Sequence, residues 1–159
     1  MRFEQMPHAA KIKTMHRLHR FINKDFFDNK LQEIYLTIEN LNKNNDDVWA
    51  GFSRNAYLVN PETKTVYQGM KIAFAWEFEE YLAEQKTQKM QALIMGHIML
   101  HEMIHQYCYE SGLDDSNHGG DWEQAAEEHL LHSIYRDGQC VEETLSTSAE
   151  ILFYNFFRL

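Results

Sequence analysis

Several features that mark secreted and membrane-bound proteins are scarce in this sequence. Only two cysteines are present, Cys108 and Cys140, which excludes a disulfide framework and a zinc ribbon with four cysteine ligands. No apolar run approaches the roughly 18 residues of a membrane span, and the opening segment has no apolar core of a secretion signal. We therefore expect a cytoplasmic protein without a membrane partner.

The sequence also lacks an excess of positive charge. Its formal net charge is −9 at pH 7, so no overall electrostatic attraction draws it to nucleic acid or to an anionic membrane. Five cations lie along the first predicted helix: Lys11, Lys13, Arg17, Arg20 and Lys24. We interpret them as a solvated helix face, although a DNA contact is the alternative reading of such a cluster.

What is present indicates one globular α+β domain over residues 1–159. The chain is 44% hydrophobic, enough for a substantial core at this length. Hydrophobic periodicity predicts helices over residues 8–28, 78–84, 87–109 and 122–135 and strands over residues 31–40, 48–58 and 66–76. Asp121 is expected to cap the last helix and Asp137-Gly138 to end it. The apolar tail, residues 141–159, is expected to pack back as a strand or helix, with an exposed apolar patch for a partner as the alternative. Gly51 suggests a bulge or a close approach of another group.

The most informative stretch is His101-Glu102-Met103-Ile104-His105, which spells H-E-x-x-H on a predicted helix. Two histidines four residues apart lie roughly 40° apart around a helix, so both imidazoles leave the same face and can reach one ion. A glutamate at the second position can act as the general base of a zinc peptidase. This pattern predicts a zinc site with His101 and His105 as ligands and Glu102 as the catalytic residue.

The third zinc ligand lies outside the H-E-x-x-H motif, and the sequence offers more than one candidate for it. The elongated motif that continues with Gly and His is excluded by Cys108 and Ser111. His118 is the preferred candidate because two glycines follow it and would let the chain fold back on the helix. Glutamates on the next predicted helix are the alternative, Glu127 foremost among Glu123, Glu127 and Glu128.

Two further residues of the motif helix are not expected to bind the metal. His97 and His105 are separated by about 12 Å along a helix, too far for one ion to bind both of them. We expect His97 to support the site or the core, and Cys108 to be a buried thiol.

The segment HEMIHQYCYESGLDDSNHGGDW resembles the active segment of the SprT-like (Spartan-related) zinc metallopeptidases. That family follows H-E-x-x-H with a loop containing His-Gly and then an aromatic residue, here His118, Gly119 and Trp122. The upstream stretch FINKDFFDNKLQEIYLTIEN is similar to the family's N-terminal helix, turn and strand. The resemblance implies a minimal zincin-like fold and a zinc-dependent endopeptidase with His101, His105 and His118 as ligands and Glu102 as base.

The same resemblance implies relatives that cleave proteins crosslinked to DNA. This chain has neither the zinc ribbon nor the basic tail that many relatives append, so its expected partner is a protein or peptide substrate, with DNA only weakly supported. In a zincin the predicted strand over residues 66–76 would run along the cleft and offer its edge to an extended substrate. The alternative function is a non-catalytic zinc-binding or protein-interaction module derived from a protease.

Overall fold

The computed structural model describes residues 1–114, 118–136 and 139–156, with the backbone alone for residues 132–136 and 139–142. Its α-helices are α1 (His8–Phe27), α2 (Trp76–Ala83), α3 (Gln88–Glu110), α4 (Asp121–Glu128) and α5 (Thr147–Tyr154). Its strands are β1 (Tyr35–Glu39), β2 (Ala50–Val59), β3 (Val66–Ala75), β4 (Leu131–Arg136) and β5 (Gln139–Leu145). The predicted α+β class is confirmed, and the first three strands form a small mixed sheet.

The three-stranded sheet has the order β1-β3-β2, so β3 lies in the middle. β1 pairs with β3 in parallel and β2 pairs with it antiparallel; Leu36 and Phe52 both lie opposite Ile72. The register of β2 shifts between Ser53 and Ala56. Gly51 itself pairs regularly with Ala73 of β3. The irregularity expected in this strand therefore lies a few residues after Gly51.

Helix α3 runs through the hydrophobic core, and the sequence prediction of this helix is confirmed to within one residue at each end. Its N-cap is Thr87, whose side-chain oxygen accepts a hydrogen bond from the backbone N–H of Met90 at 3.1 Å. Buried side chains occur on most sides of the helix, among them Met95, Met99 and Met103, and Cys108 is buried as expected. The helix therefore has little freedom to rotate, because any rotation would expose apolar surface.

The predicted helix over residues 122–135 is wrong in its second half. α4 ends at Glu128, and Leu130 adopts a left-handed φ of 71°, which breaks the helix. The chain then forms β4, which pairs antiparallel with β5 in a separate two-stranded sheet. Gly120, and not Asp121, occupies the N-cap of α4. The expected turn at Asp137-Gly138 lies outside the described residues.

The tail packs back on the domain as expected, first as β5 and then as α5. Phe153 of α5 is fully buried, stacks on Phe26 at 5.3 Å between ring centroids, and lies against Gly96 of α3. None of the helices in the described part of the chain combines the length and apolar character needed to span a bilayer.

The contact between Gly96 and Phe153 generates a stability prediction. A Cβ atom at residue 96 would overlap the Phe153 ring, which cannot swing away freely because Phe26 and Phe21 pack on it. We expect Gly96→Ala to lower the free energy of unfolding by about 1–3 kcal/mol. At a helix position with open space, replacing glycine by alanine instead raises the free energy of unfolding by roughly 0.8–1 kcal/mol. The expected effect at residue 96 therefore has the opposite sign.

Urea denaturation of Gly96→Ala, Phe153→Leu and the double variant would measure this effect. The smaller leucine side chain leaves room for a Cβ, so the cost of Gly96→Ala should shrink in the Phe153→Leu background. An equal cost in both backgrounds would show that the overlap is not its cause.

Candidate metal centre

The helical spacing of His101 and His105 brings their imidazoles together on one side of α3. Their ring centroids lie 5.4 Å apart. The Nε2 atoms of both rings lie 3.0 Å from Nε2 of His118. The three histidines predicted from the sequence are therefore neighbours in the structure.

His118 reaches the helix from the loop between α3 and α4. Asp121 accepts a hydrogen bond at Oδ2 from the backbone N–H of Asp114 at 3.0 Å, and this bond ties the two sides of the loop together. Gly120 has φ 52° and ψ −110°, a conformation that a residue with a side chain rarely adopts. Gly120 thus allows the sharp turn after which α4 begins, directly beside the three histidines.

The donor atoms of this cluster are close enough for one metal ion to contact all three histidines. One ligand nitrogen from each ring lies within 4.8 Å of the others, and no further histidine, cysteine or carboxylate joins the group among the described residues. Burial lowers the pKa of His118, which favours the neutral imidazole that a metal requires. The alternative ligand Glu127 lies exposed on α4, outside the group.

Glu102 lies beside the cluster with its side chain buried. It is 6% exposed, and its Oε1 lies 4.0 Å from Nε2 of His101. Burial raises the pKa of Glu102, while the neighbouring His101 acts to lower it. The net effect is a carboxylate more basic than a solvated glutamate, placed next to the three nitrogens.

Trp122 forms the wall behind the three histidines. Its ring centroid lies 4.8 Å from that of His101, 5.5 Å from that of His105 and 4.9 Å from that of His118. The indole is fully buried, and its Nε1 has no hydrogen-bond acceptor among the described residues. Contact with all three imidazoles restricts how each ring can turn.

Sequence reasoning missed one functional candidate, Glu143 on β5. Its carboxylate accepts hydrogen bonds from Nδ1 of His101, at 2.8 Å to Oε2 and 2.9 Å to Oε1, and from Nε2 of His97 at 2.8 Å. Burial acts to raise the pKa of Glu143, but the bonds from His101 and His97 outweigh it and lower the pKa to about 2. No motif spacing links residue 143 to the helix, and for the tail that carries it the sequence left strand or helix open without naming a partner.

The bond to Glu143 also affects His101 itself. Burial disfavours the charged imidazole, but the hydrogen bond to Glu143 and the negative charges of Glu102 and Glu143 raise the pKa of His101 above its usual value. The expectation that His97 supports the site without joining the ligand group agrees with its contact to Glu143.

The cluster opens into a cleft of about 430 Å³. Its lining consists of residues 50–54 of β2 together with Glu102, His105 and His118. The sequence-based expectation that the strand over residues 66–76 borders the cleft is wrong, because β3 is paired on both sides and β2 lies between it and the cleft. Within the described part of the chain, no strand pairs with the outer edge of β2.

Comparison of the sequence with protein-family models and with characterised proteins, and of the structure with solved structures, found no match.

The geometry of the cluster predicts the metal content of two variants. We expect the wild-type protein to bind one metal ion per chain and His118→Ala to lose it or bind it much more weakly, because two imidazoles remain out of three. Glu127→Gln is the matched control and should keep full stoichiometry, since Glu127 is exposed and outside the cluster. Mass spectrometry of the metal in protein purified without added zinc measures both.

Metal retained at full stoichiometry in His118→Ala would contradict the three-histidine assignment. Loss of the metal in Glu127→Gln would instead identify Glu127 on α4 as the third ligand.

Proposed function

We propose that this chain is a zinc-dependent endopeptidase of the zincin type, with His101, His105 and His118 as zinc ligands and Glu102 as general base. The observation that carries the proposal is a buried carboxylate beside three clustered imidazoles at one side of an open cleft. The H-E-x-x-H sequence and the resemblance to the SprT-like family support the same reading.

The donor set fits zinc. Zinc in catalytic sites takes three protein ligands, commonly imidazole nitrogens at about 2.0–2.1 Å, and leaves a fourth tetrahedral position open. Nitrogens around such an ion lie about 3.3 Å apart, close to the 3.0 Å between Nε2 of His118 and Nε2 of each partner. Zinc held there would act as a Lewis acid and would lower the pKa of a coordinated water toward neutral pH.

The role of Glu102 follows from its position and basicity. Its carboxylate takes a proton from the attacking water and returns it to the amine nitrogen that leaves when the peptide bond breaks. Burial serves this role in two ways: it raises the pKa of Glu102 and fixes the carboxylate beside His101. A carboxylate without a catalytic or packing task is seldom buried, because burial of its charge is unfavourable.

The position of strand β2 is an argument for a peptide as the substrate. Residues Ala50–Ser53 pair regularly with β3 and border the cleft beside Glu102 and His105. An extended peptide can add to an open strand edge through main-chain hydrogen bonds, and such binding places a peptide group over the site. Recognition through the main chain accommodates many side chains, which suits a peptidase acting on unfolded segments.

The resemblance to the SprT-like family extends the proposed substrates to proteins bound or crosslinked to DNA. The basic face of α1 gives this extension little support. Lys11 contacts the carboxylate of Glu79, and the guanidinium of Arg17 lies 5.4 Å from the ring centroid of Phe156, so two of its five cations contact groups of this chain. The substrate that we propose is therefore an unfolded polypeptide, whether or not DNA is nearby.

A non-catalytic zinc module is the competing proposal, and the donor set argues against it. A structural zinc site is normally closed by a fourth protein ligand. The described residues supply three, while Asp121 binds the Asp114 backbone and His97 binds Glu143.

The decisive variant is Glu102→Gln, which keeps the shape of the side chain and removes its basicity. We expect the variant to keep its zinc. The rate at which the zinc-loaded variant cleaves unfolded β-casein should fall by about 10²–10⁴-fold relative to the wild-type protein. Cleavage is followed by mass spectrometry of the products, and Glu127→Gln serves as the surface control with unchanged rate.

Cleavage by Glu102→Gln at the wild-type rate would remove Glu102 from the mechanism. A wild-type protein that holds zinc but cleaves no unfolded polypeptide would favour the non-catalytic module.

A further inference from the structure

The carboxylate of Glu143 connects the β4–β5 hairpin to the metal centre. It lies 42 residues after His101 in sequence, and its side chain is 15% exposed. Both of its oxygens accept hydrogen bonds from the same ring nitrogen, and Oε1 also accepts one from His97 on the preceding turn of α3.

These bonds determine which nitrogen of each imidazole carries a proton. An ionised carboxylate only accepts hydrogen bonds, so Nδ1 of His101 and Nε2 of His97 must be the donors. A neutral imidazole protonated at Nδ1 has its lone pair on Nε2. In His101 that lone pair is on the atom that lies 3.0 Å from Nε2 of His118, inside the proposed ligand group.

We propose that Glu143 is a positioning residue for the metal: it holds His101 with Nδ1 protonated and Nε2 turned to the ion, and His97 steadies the carboxylate. The inference rests on metal binding by the three histidines and is independent of peptide hydrolysis. Carboxylates that accept a hydrogen bond from a metal-binding histidine fix its orientation and increase its basicity as a ligand.

The arrangement of partners favours this role over a simple surface ion pair. Glu143 spans two successive turns of α3, so its position is set by two donors, while His101 has a carboxylate on one nitrogen and the ligand cluster on the other. A surface pair would leave both side chains free to change rotamer, and its contribution would be small.

The same bonds couple the hairpin to the metal. Because His101 binds the ion through one nitrogen and β5 through the other, a metal that fixes the ring also strengthens the attachment of β5 to α3. Such coupling is reciprocal: a firmly docked hairpin increases metal affinity, and bound metal opposes opening of the hairpin.

Zinc affinity measured by competition with a chromophoric chelator tests the proposal. We expect Glu143→Ala to raise the zinc dissociation constant about 10–100-fold. Glu143→Gln keeps the size of the side chain and one acceptor oxygen, so its loss should be smaller. His97→Ala should have the smallest effect of the three because the bond from His101 to Glu143 remains. Glu127→Gln is the control, with unchanged affinity.

A spectroscopic readout separates positioning from general support of the fold. Long-range ¹H–¹⁵N spectra of the zinc-loaded wild-type protein should show a slowly exchanging proton on Nδ1 of His101. In Glu143→Gln this proton should exchange faster while the circular dichroism of the zinc-free protein stays the same. The glutamine variant also keeps the test valid if Glu143→Ala does not fold.

The outcomes are distinguishable from those of the proposed function. Wild-type zinc affinity in both Glu143 variants would overturn the role of Glu143 and leave the three-histidine site intact. A wild-type protein that binds no zinc would overturn both. Weaker zinc binding in the Glu143 variants would support the positioning role even if no peptidase activity were found.

Discussion

The candidate metal centre depends on one packing constraint, the fixed rotation of helix α3 in the core. Two imidazoles on a helix point to one place only while the helix keeps its angle about its own axis. Burial of residues on most of the circumference of α3, together with the Thr87 cap at its start, sets that angle. The apolar residues around His101 and His105 therefore serve the site indirectly, since they decide where both rings point.

The rest of the site comes from the chain after α3. The loop returns His118, α4 brings Trp122 against the three rings, and β5 adds Glu143 on the far side of His101. Each element contributes one side chain, and the indole and the carboxylate act on the same imidazole from different directions. Trp122 restricts the ring by contact, whereas Glu143 restricts it by a directed hydrogen bond and also decides its protonated nitrogen.

The sequence was informative where a local pattern determines geometry. The four-residue spacing of His101 and His105 needs only a helix to become a site, and Gly119-Gly120 marks a tight return of the chain that places His118. The three strands and the long helices follow from periodicity that tertiary contacts reinforce. These parts of the fold and of the candidate site could be predicted.

The remainder depends on contacts between distant segments. Residues 131–136 carry a helical pattern, yet the left-handed Leu130 ends the helical segment before them and pairing with β5 makes them a strand, since β structure depends on its partners. Strand order has the same origin, which is why β2 borders the cleft instead of β3. Glu143 was missed because the pairing of β5 with β4 could not be predicted and because a lone carboxylate has no characteristic spacing relative to the motif.

The outer edge of β2, with which no strand of the described residues pairs, has a consequence for self-association. An unpaired strand edge is a template for any other strand, including the same strand of a second molecule, and edge-to-edge growth leads to aggregates. Regular pairing of β2 is interrupted between Ser53 and Ala56, and the segment contains the cation of Arg54. An irregularity of this kind bends the strand that carries it, so a long flat strand would pair poorly with the outer edge. The fold thus keeps a backbone edge beside the cleft while limiting its use by other copies of the chain.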